Sequence, residues 1–292
     1  MPSSDEIKDT TPSAETPAEE KSFFGVIIHS FFVVPFLIAV FGILLFAAVR
    51  LLTLEQHTVY DYLNDVKTGG LTKRWQAAFE LSKILANPKF VPGEDRFNAE
   101  LISAFNHAKH DDDRVRQYLA LAMGRTGNPQ FTEPIIKSLN GESDENLYFL
   151  IYALGMLRDK KATGVILPYL ESPSAKIRLI SVIALGDIAD PTSAGALKKV
   201  LFDAEPNVQW DAAIALAKMK NPAGRDILLK LLDRGYLSKF SEVDNEEKNR
   251  VLKVAIQASA LLGDPELSAA IRRLSQAEEN IEVRKAALNA VK

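Results

Sequence analysis

The sequence predicts an all-α protein, a solenoid of stacked helical hairpins preceded by a single transmembrane helix. Three observations carry this expectation. Phe23 to Val49 runs for 27 residues without a charge. A helical joint recurs, with Gly124, Gly155, Gly186 and Ala217 each 31 residues after the last. No period-2 alternation, the mark of a half-buried strand, occurs from residue 71 onward.

Composition narrows the function classes. Of the 292 residues, 47% are hydrophobic, enough for a sizeable core. The formal charge of −3 argues against a nucleic-acid partner, which would call for a basic face. The chain has no cysteine, so thiol catalysis, cysteine zinc sites and disulfides are excluded.

Residues 1–22 are rich in Ser, Thr, Pro and Glu, with Ile7 their one sizeable apolar side chain. They bury too little to offset the entropy of ordering, and read as a disordered acidic tail. Residues 23–52 read as the transmembrane helix, since a bilayer core of about 30 Å needs roughly 20 helical residues. A cleaved signal peptide would have a basic leader and a shorter apolar run, so the segment reads as a retained anchor. Within it Pro35 marks a kink, and His29 and Ser30 are the notable polar side chains. Lys8 and Lys21 precede the span, whereas Arg50, Lys67, Lys73 and Arg74 follow it. That balance leans toward a cytoplasmic solenoid on a single-pass membrane protein. Residues 53–70 read as a juxtamembrane helix or linker, and residues 71–292 as the solenoid.

Within the solenoid, second helices align as VRQYLALAMG, NLYFLIYALG, IRLISVIALG, VQWDAAIALA and VAIQASALLG, with a terminal VRKAALNAV. First helices read TEPIIKSL, ATGVILPYL, SAGALKKVL, AGRDILLKL and ELSAAIRRL. Both series carry apolar residues at three- and four-residue spacing, as amphipathic helices do. At the joint, Gly186 is expected to close one helix, Asp190 to cap the next and Pro191 to enter its first turn. Gly263 follows Ala217 after 46 residues, the surplus lying in the insertion around Tyr236–Asn249.

Val115-Arg116, Ile177-Arg178 and Val283-Arg284 open the repeated phrase, and Asn128-Pro129, Asp190-Pro191, Asn221-Pro222 and Asp264-Pro265 close it. This phrase resembles the HEAT repeat in the short form of phycobilin-lyase-type (E-Z type) proteins. The resemblance covers the solenoid and implies its fold; unrelated functions share that scaffold. It also implies that Arg116, Arg178 and Arg284 bond to neighbouring repeats and hold the stack together.

The resemblance brings two enzyme groups into question. Deoxyhypusine hydroxylases bind iron through His-Glu pairs, and none of His29, His57, His107 and His110 is followed by Glu. Phycobilin lyases hold a tetrapyrrole and usually act as soluble paired subunits, from which a membrane anchor departs. His107 and His110, with Asp111 to Asp113, are the one metal-like cluster, read here as helix-end residues. The chain is therefore expected to be no enzyme and to have no metal or cofactor.

Two columns on the second helices, seven and three residues before the closing Gly or Ala, depart from the family pattern, in which they are commonly charged. One reads Gln117, Tyr148, Leu179, Trp210, Ile256 and Lys285; the other Leu121, Tyr152, Ile183, Ile214, Ala260 and Asn289. Tyr148, Tyr152, Leu179, Ile183, Trp210 and Ile214 are thus expected to form an accessible apolar groove on the concave face. The expected function is a membrane-anchored adaptor that binds a protein or peptide partner there, as part of a membrane complex. The alternative is a lyase-like protein whose groove carries an apolar cofactor.

Overall fold

A computed structural model describes residues 29–52 and 57–291. The expected tail, the first part of the apolar run and residues 53–56 lie outside the described residues. The chain divides between residues 56 and 57 into two compact units.

In the first unit a π-helical turn, His29–Val33, runs into helix α1, Val34–Leu52. Phe31 to Leu51 has a mean hydropathy of 2.9 and buries nothing, so it is long and apolar enough to cross a membrane. Pro35 lies where the π-helical turn passes into the α-helix. The π-helical turn ends two residues before Pro35, whose ring lacks the N–H that a regular α-helix would bond there.

The second unit is a row of helical hairpins without a strand among the described residues. In order these are α2 (Val59–Thr68) with α3 (Leu71–Ile84), then α4 (Asp95–His107) with α5 (Asp113–Arg125). Next come α6 (Thr132–Ser138) with α7 (Asp144–Leu157), and α8 (Thr163–Ile166, prolonged by a 3-10 turn) with α9 (Ala175–Ile188). The row continues with α10 (Ala194–Val200) and α11 (Pro206–Lys218), then α12 (Arg225–Leu231), the short α13 (Arg234–Leu237) and α14 (Asn245–Ala260). It ends with α15 (Pro265–Ala277) and α16 (Ile281–Ala290).

The solenoid starts earlier than residue 71. Helix α2, expected to be a juxtamembrane helix or linker, packs on α3 and buries Val59, Leu63 and Val66. Thr58 and Asp61 close a reciprocal capping box at its start, which fixes the point where the unit begins.

The joints obey one local rule. Gly127, Arg158, Ala189, Lys220 and Gly263 all have a left-handed backbone, with φ between 54° and 66°. The next residue in each case, Asn128, Asp159, Asp190, Asn221 or Asp264, accepts a hydrogen bond from the backbone N–H two positions on. Pro follows at four of the five joints and starts a 3-10 turn or a helix.

Gly186 therefore does not close its helix; Ala189 does. Gly124, Gly155 and Gly186 lie inside α5, α7 and α9, where a Cβ would come within 3.0 Å of Ala153, Ala184 and Ala215 on the next second helix. Small residues here let successive second helices touch almost backbone to backbone. Successive first helices meet more loosely, largely through their 3-10 turns. A closer approach along the second-helix row is the geometry that curves a solenoid toward that row.

The same φ angles correct the repeat register. Gly263 is a left-handed joint residue like Gly127, not a counterpart of Gly186, so Ala260 takes the in-helix position. The concave columns then pass through Lys253 and Gln257 on α14. Ile256, which had been placed there, is fully buried.

Arginines lock the stack. Arg116, 2% exposed, donates to the Phe105 carbonyl at 3.1 Å and pairs with Glu142 at 2.5 Å. Arg178 makes a bidentate pair with Asp203 at 2.7 and 2.9 Å and donates to the Ser172 carbonyl. Arg284 donates to the Glu278 carbonyl at 3.1 Å. Each arginine ties its second helix to the end of the preceding first helix, and two of them reach an acid before the next second helix.

Candidate binding site on the second helices

The groove expected from the sequence divides into an open and a covered part. On α7 and α9, Tyr148, Tyr152, Leu179 and Ile183 are half-buried and pack against the core. Tyr148 and Tyr152 bring their ring centres to 6.5 Å, and Lys176 Nζ lies 4.8 Å from the Tyr148 ring. This is an accessible aromatic and aliphatic strip with a cation at its edge.

Trp210 and Ile214 on α11 behave differently. Both are only 6% exposed, which corrects the expectation of accessibility. For Trp210 the insertion after α12 explains the burial. Tyr236 and Phe240 fold onto the indole edge-on, at 6.3 and 4.8 Å between ring centres, and Trp210 Nε1 donates to the Tyr236 hydroxyl at 3.2 Å. Arg234 anchors the start of the insertion by donating to Glu278 and to Asn249, each at 2.6 Å.

Where the insertion meets α11, it leaves a cavity of about 360 Å³. Leu179, Trp210, Phe240, Val243 and Val251 supply its apolar wall, and Glu205, Asp211, Glu242 and Glu247 its carboxylates. No Lys or Arg lines it, and none of these acids forms an ion pair among the described residues. Burial pushes the Asp211 carboxyl up to about 6, with Lys218 opposing the shift and Asp187 adding to it.

Sequence reasoning missed Asp211, although a signal was present. Tyr118, Phe149 and Ile180 occupy the same position in the preceding repeats, each 31 residues apart. An acid in an otherwise apolar column marks a site where burial and charge conflict. Phe240, Glu242 and Glu247 carried no such signal, because the insertion has no repeat to compare against.

The metal-like cluster is dispersed. His107 Nδ1 bonds to the Ser103 carbonyl at 2.7 Å, Asp111 pairs with Arg74, and Asp112 caps α5. Among the described residues, no three His, Asp or Glu side chains converge as metal ligands.

The class this fold defines is an all-α solenoid of stacked helical hairpins. Comparison with known proteins agrees: residues 163–239 match the family described as HEAT repeats. The chain is similar to the complex of CpcE and CpcF of phycocyanin lyase from Nostoc sp. PCC7120, with a TM-score of 0.59 at 20% identity over 82% of this chain and 88% of that one. A designed armadillo repeat protein in complex with the peptide (KR)4 aligns at 20% identity over 81% and 100% of the two chains, with a TM-score of 0.40. Human deoxyhypusine hydroxylase aligns at 15% identity over 80% and 83%, with a TM-score of 0.35. Curated proteins gave no match. Residues 163–239 thus match HEAT repeats, and the all-α solenoid has a fold similar to that of the phycocyanin lyase complex.

One expectation is overturned here. The chain was expected to be no enzyme, yet the fold it shares is that of a phycocyanin lyase. Missing catalytic motifs were the ground for that expectation, and on a fold shared with a lyase complex they exclude nothing.

Proposed function

We propose that this protein is a membrane-anchored HEAT-repeat adaptor that binds a protein or peptide partner of a membrane complex in its concave groove. The observation that carries the reading is the open strip Tyr148, Tyr152, Leu179 and Ile183, aromatic and aliphatic where solvent would favour charge. Trp210 and Ile214 form the packed floor at the strip's end. The apolar helix Phe31–Leu51 supplies the anchor, and the basic residues after it favour a cytoplasmic solenoid.

The test is in vivo crosslinking followed by recovery from membranes. The pair Tyr152→Glu and Ile183→Glu should abolish partner recovery while the melting temperature falls little. Trp210→Glu should instead destabilise the fold, since it places a charge among Tyr236 and Phe240. Unaltered recovery with the first pair would place the binding face elsewhere. For orientation, a reporter fused after Lys292 should be active only in its cytoplasmic form, and periplasmic activity in a bacterial host would reverse the topology.

A second reading rests on the likeness to the phycocyanin lyase complex: a groove that holds an apolar cofactor. Protein purified from its native membranes that absorbs visible light, and loses the absorbance on Tyr152→Glu, would favour it.

A further inference from the structure

We infer that the cavity between α11 and the insertion is a subsite for a basic side chain, Lys or Arg, of a peptide lying in the concave groove. The inference rests on the groove reading and adds the chemistry of its partner.

The wall and the charge point the same way. Trp210, Phe240 and Val243 offer an apolar and aromatic lining to the aliphatic stem of such a side chain. Glu205, Asp211, Glu242 and Glu247 line the space, and none of them forms an ion pair among the described residues. An incoming cation would meet four lining carboxylates and no lining base. About 360 Å³ is room for one long side chain and not for a folded element.

Position argues for a peptide side chain over a free ligand. Leu179 belongs both to the cavity wall and to the open strip, so a chain lying over Tyr148 and Tyr152 passes the cavity mouth. The strip would hold apolar residues and the cavity the basic one, which fixes register along the groove. Burial of Asp211 supports the assignment: desolvation raises its carboxyl, with Lys218 opposing the shift and Asp187 adding to it, and a bound cation would stabilise the charged form.

The test is selection of a random 12-residue peptide display library on the full chain in detergent micelles, alongside three variants. Wild type should enrich peptides that pair a Lys or Arg with apolar residues at a fixed spacing. The variant Glu242→Gln with Glu247→Gln should bind the enriched peptides about tenfold more weakly and lose the basic preference, as expected on removing two charge contacts in partly screened surroundings. Adding Asp211→Asn should weaken binding further. Unchanged helical circular dichroism shows that each variant is folded.

Enrichment without a basic residue, or a basic preference that survives the double variant, overturns the subsite and leaves the groove standing. No enrichment by any form overturns the groove reading and the subsite with it. Arginine amide alone quenching Trp210 fluorescence as strongly as a selected peptide would make the site one for a small cation, and the peptide assignment would fall.

Discussion

Gly155 shows how much one side chain decides in this stack. Helix propensity alone would make Gly155→Ala stabilising by up to about 1 kcal/mol. The Cβ it adds would lie 2.8 Å from Ala184 Cα, so the two helices must part. Overpacking of this kind costs about 1–3 kcal/mol and outweighs the propensity gain. Gly195 on α10 has open space around its Cβ position and serves as the control. Chemical denaturation should find Gly155→Ala destabilised and Gly195→Ala neutral or slightly stabilised. A loss at both positions, or at neither, would refute the close-approach account.

Asp211 gives a second residue-scale prediction. Its folded carboxyl titrates near 6 because burial disfavours the charge, well above the 3.8 of a free carboxyl. Between those values the folded chain holds a proton that the unfolded chain has lost, so stability falls as pH rises from about 4 to 6. Its contribution is fully present below that window and absent above it. Asp211→Asn should therefore raise stability at pH 7 by roughly 1–3 kcal/mol, with a much smaller gain at pH 4. Melting curves at the two pH values check this. An equal gain at both would mean that ionisation is not the cause.

At the scale of elements, the joints were the most legible part of the sequence and the glycines the most misleading. The Asn or Asp before Pro announced a capped turn, and each caps one. Gly186 looked like a helix terminator because glycine favours the left-handed backbone. The terminator is Ala189, three residues later, held at φ 54° by its place in the joint. Local propensity marks where a turn belongs. Whether a glycine serves the turn or the helix beside it depends on what packs there, which one repeat cannot reveal. The insertion taught the same lesson for the site: Trp210 and Ile214 share the column of Tyr148 and Tyr152, yet Tyr236 and Phe240 bury one end of the groove.

For the whole molecule, the boundary between residues 56 and 57 separates an apolar helix from a unit with its own core. Removing residues 1–56 should leave a soluble, helical, cooperatively melting protein. Removing residues 1–70 deletes α2 and uncovers Ala77, Ala78 and Leu81 on α3, so that shorter form should melt lower or aggregate. Equal stability of the two would show that α2 is a linker after all. Leu154 and Leu185, both fully buried, are the internal standard, since Leu→Ala at such sites costs about 2–5 kcal/mol.

The sequence by itself determined the all-α class, the hairpin period and an apolar helix of membrane-spanning length, because each is written in spacing along the chain: 3.6-residue periodicity, 31-residue repetition and an uninterrupted apolar run. Tertiary structure alone decided that α2 opens the solenoid, that Gly155 and Gly186 are helix contacts, and that Trp210 lies under the insertion with Asp211 on a charged cavity. The physical reason is common to all three. Burial is a property of what lies across the gap, and residues as far apart in sequence as Leu179 and Val251 meet there only once the repeats have stacked.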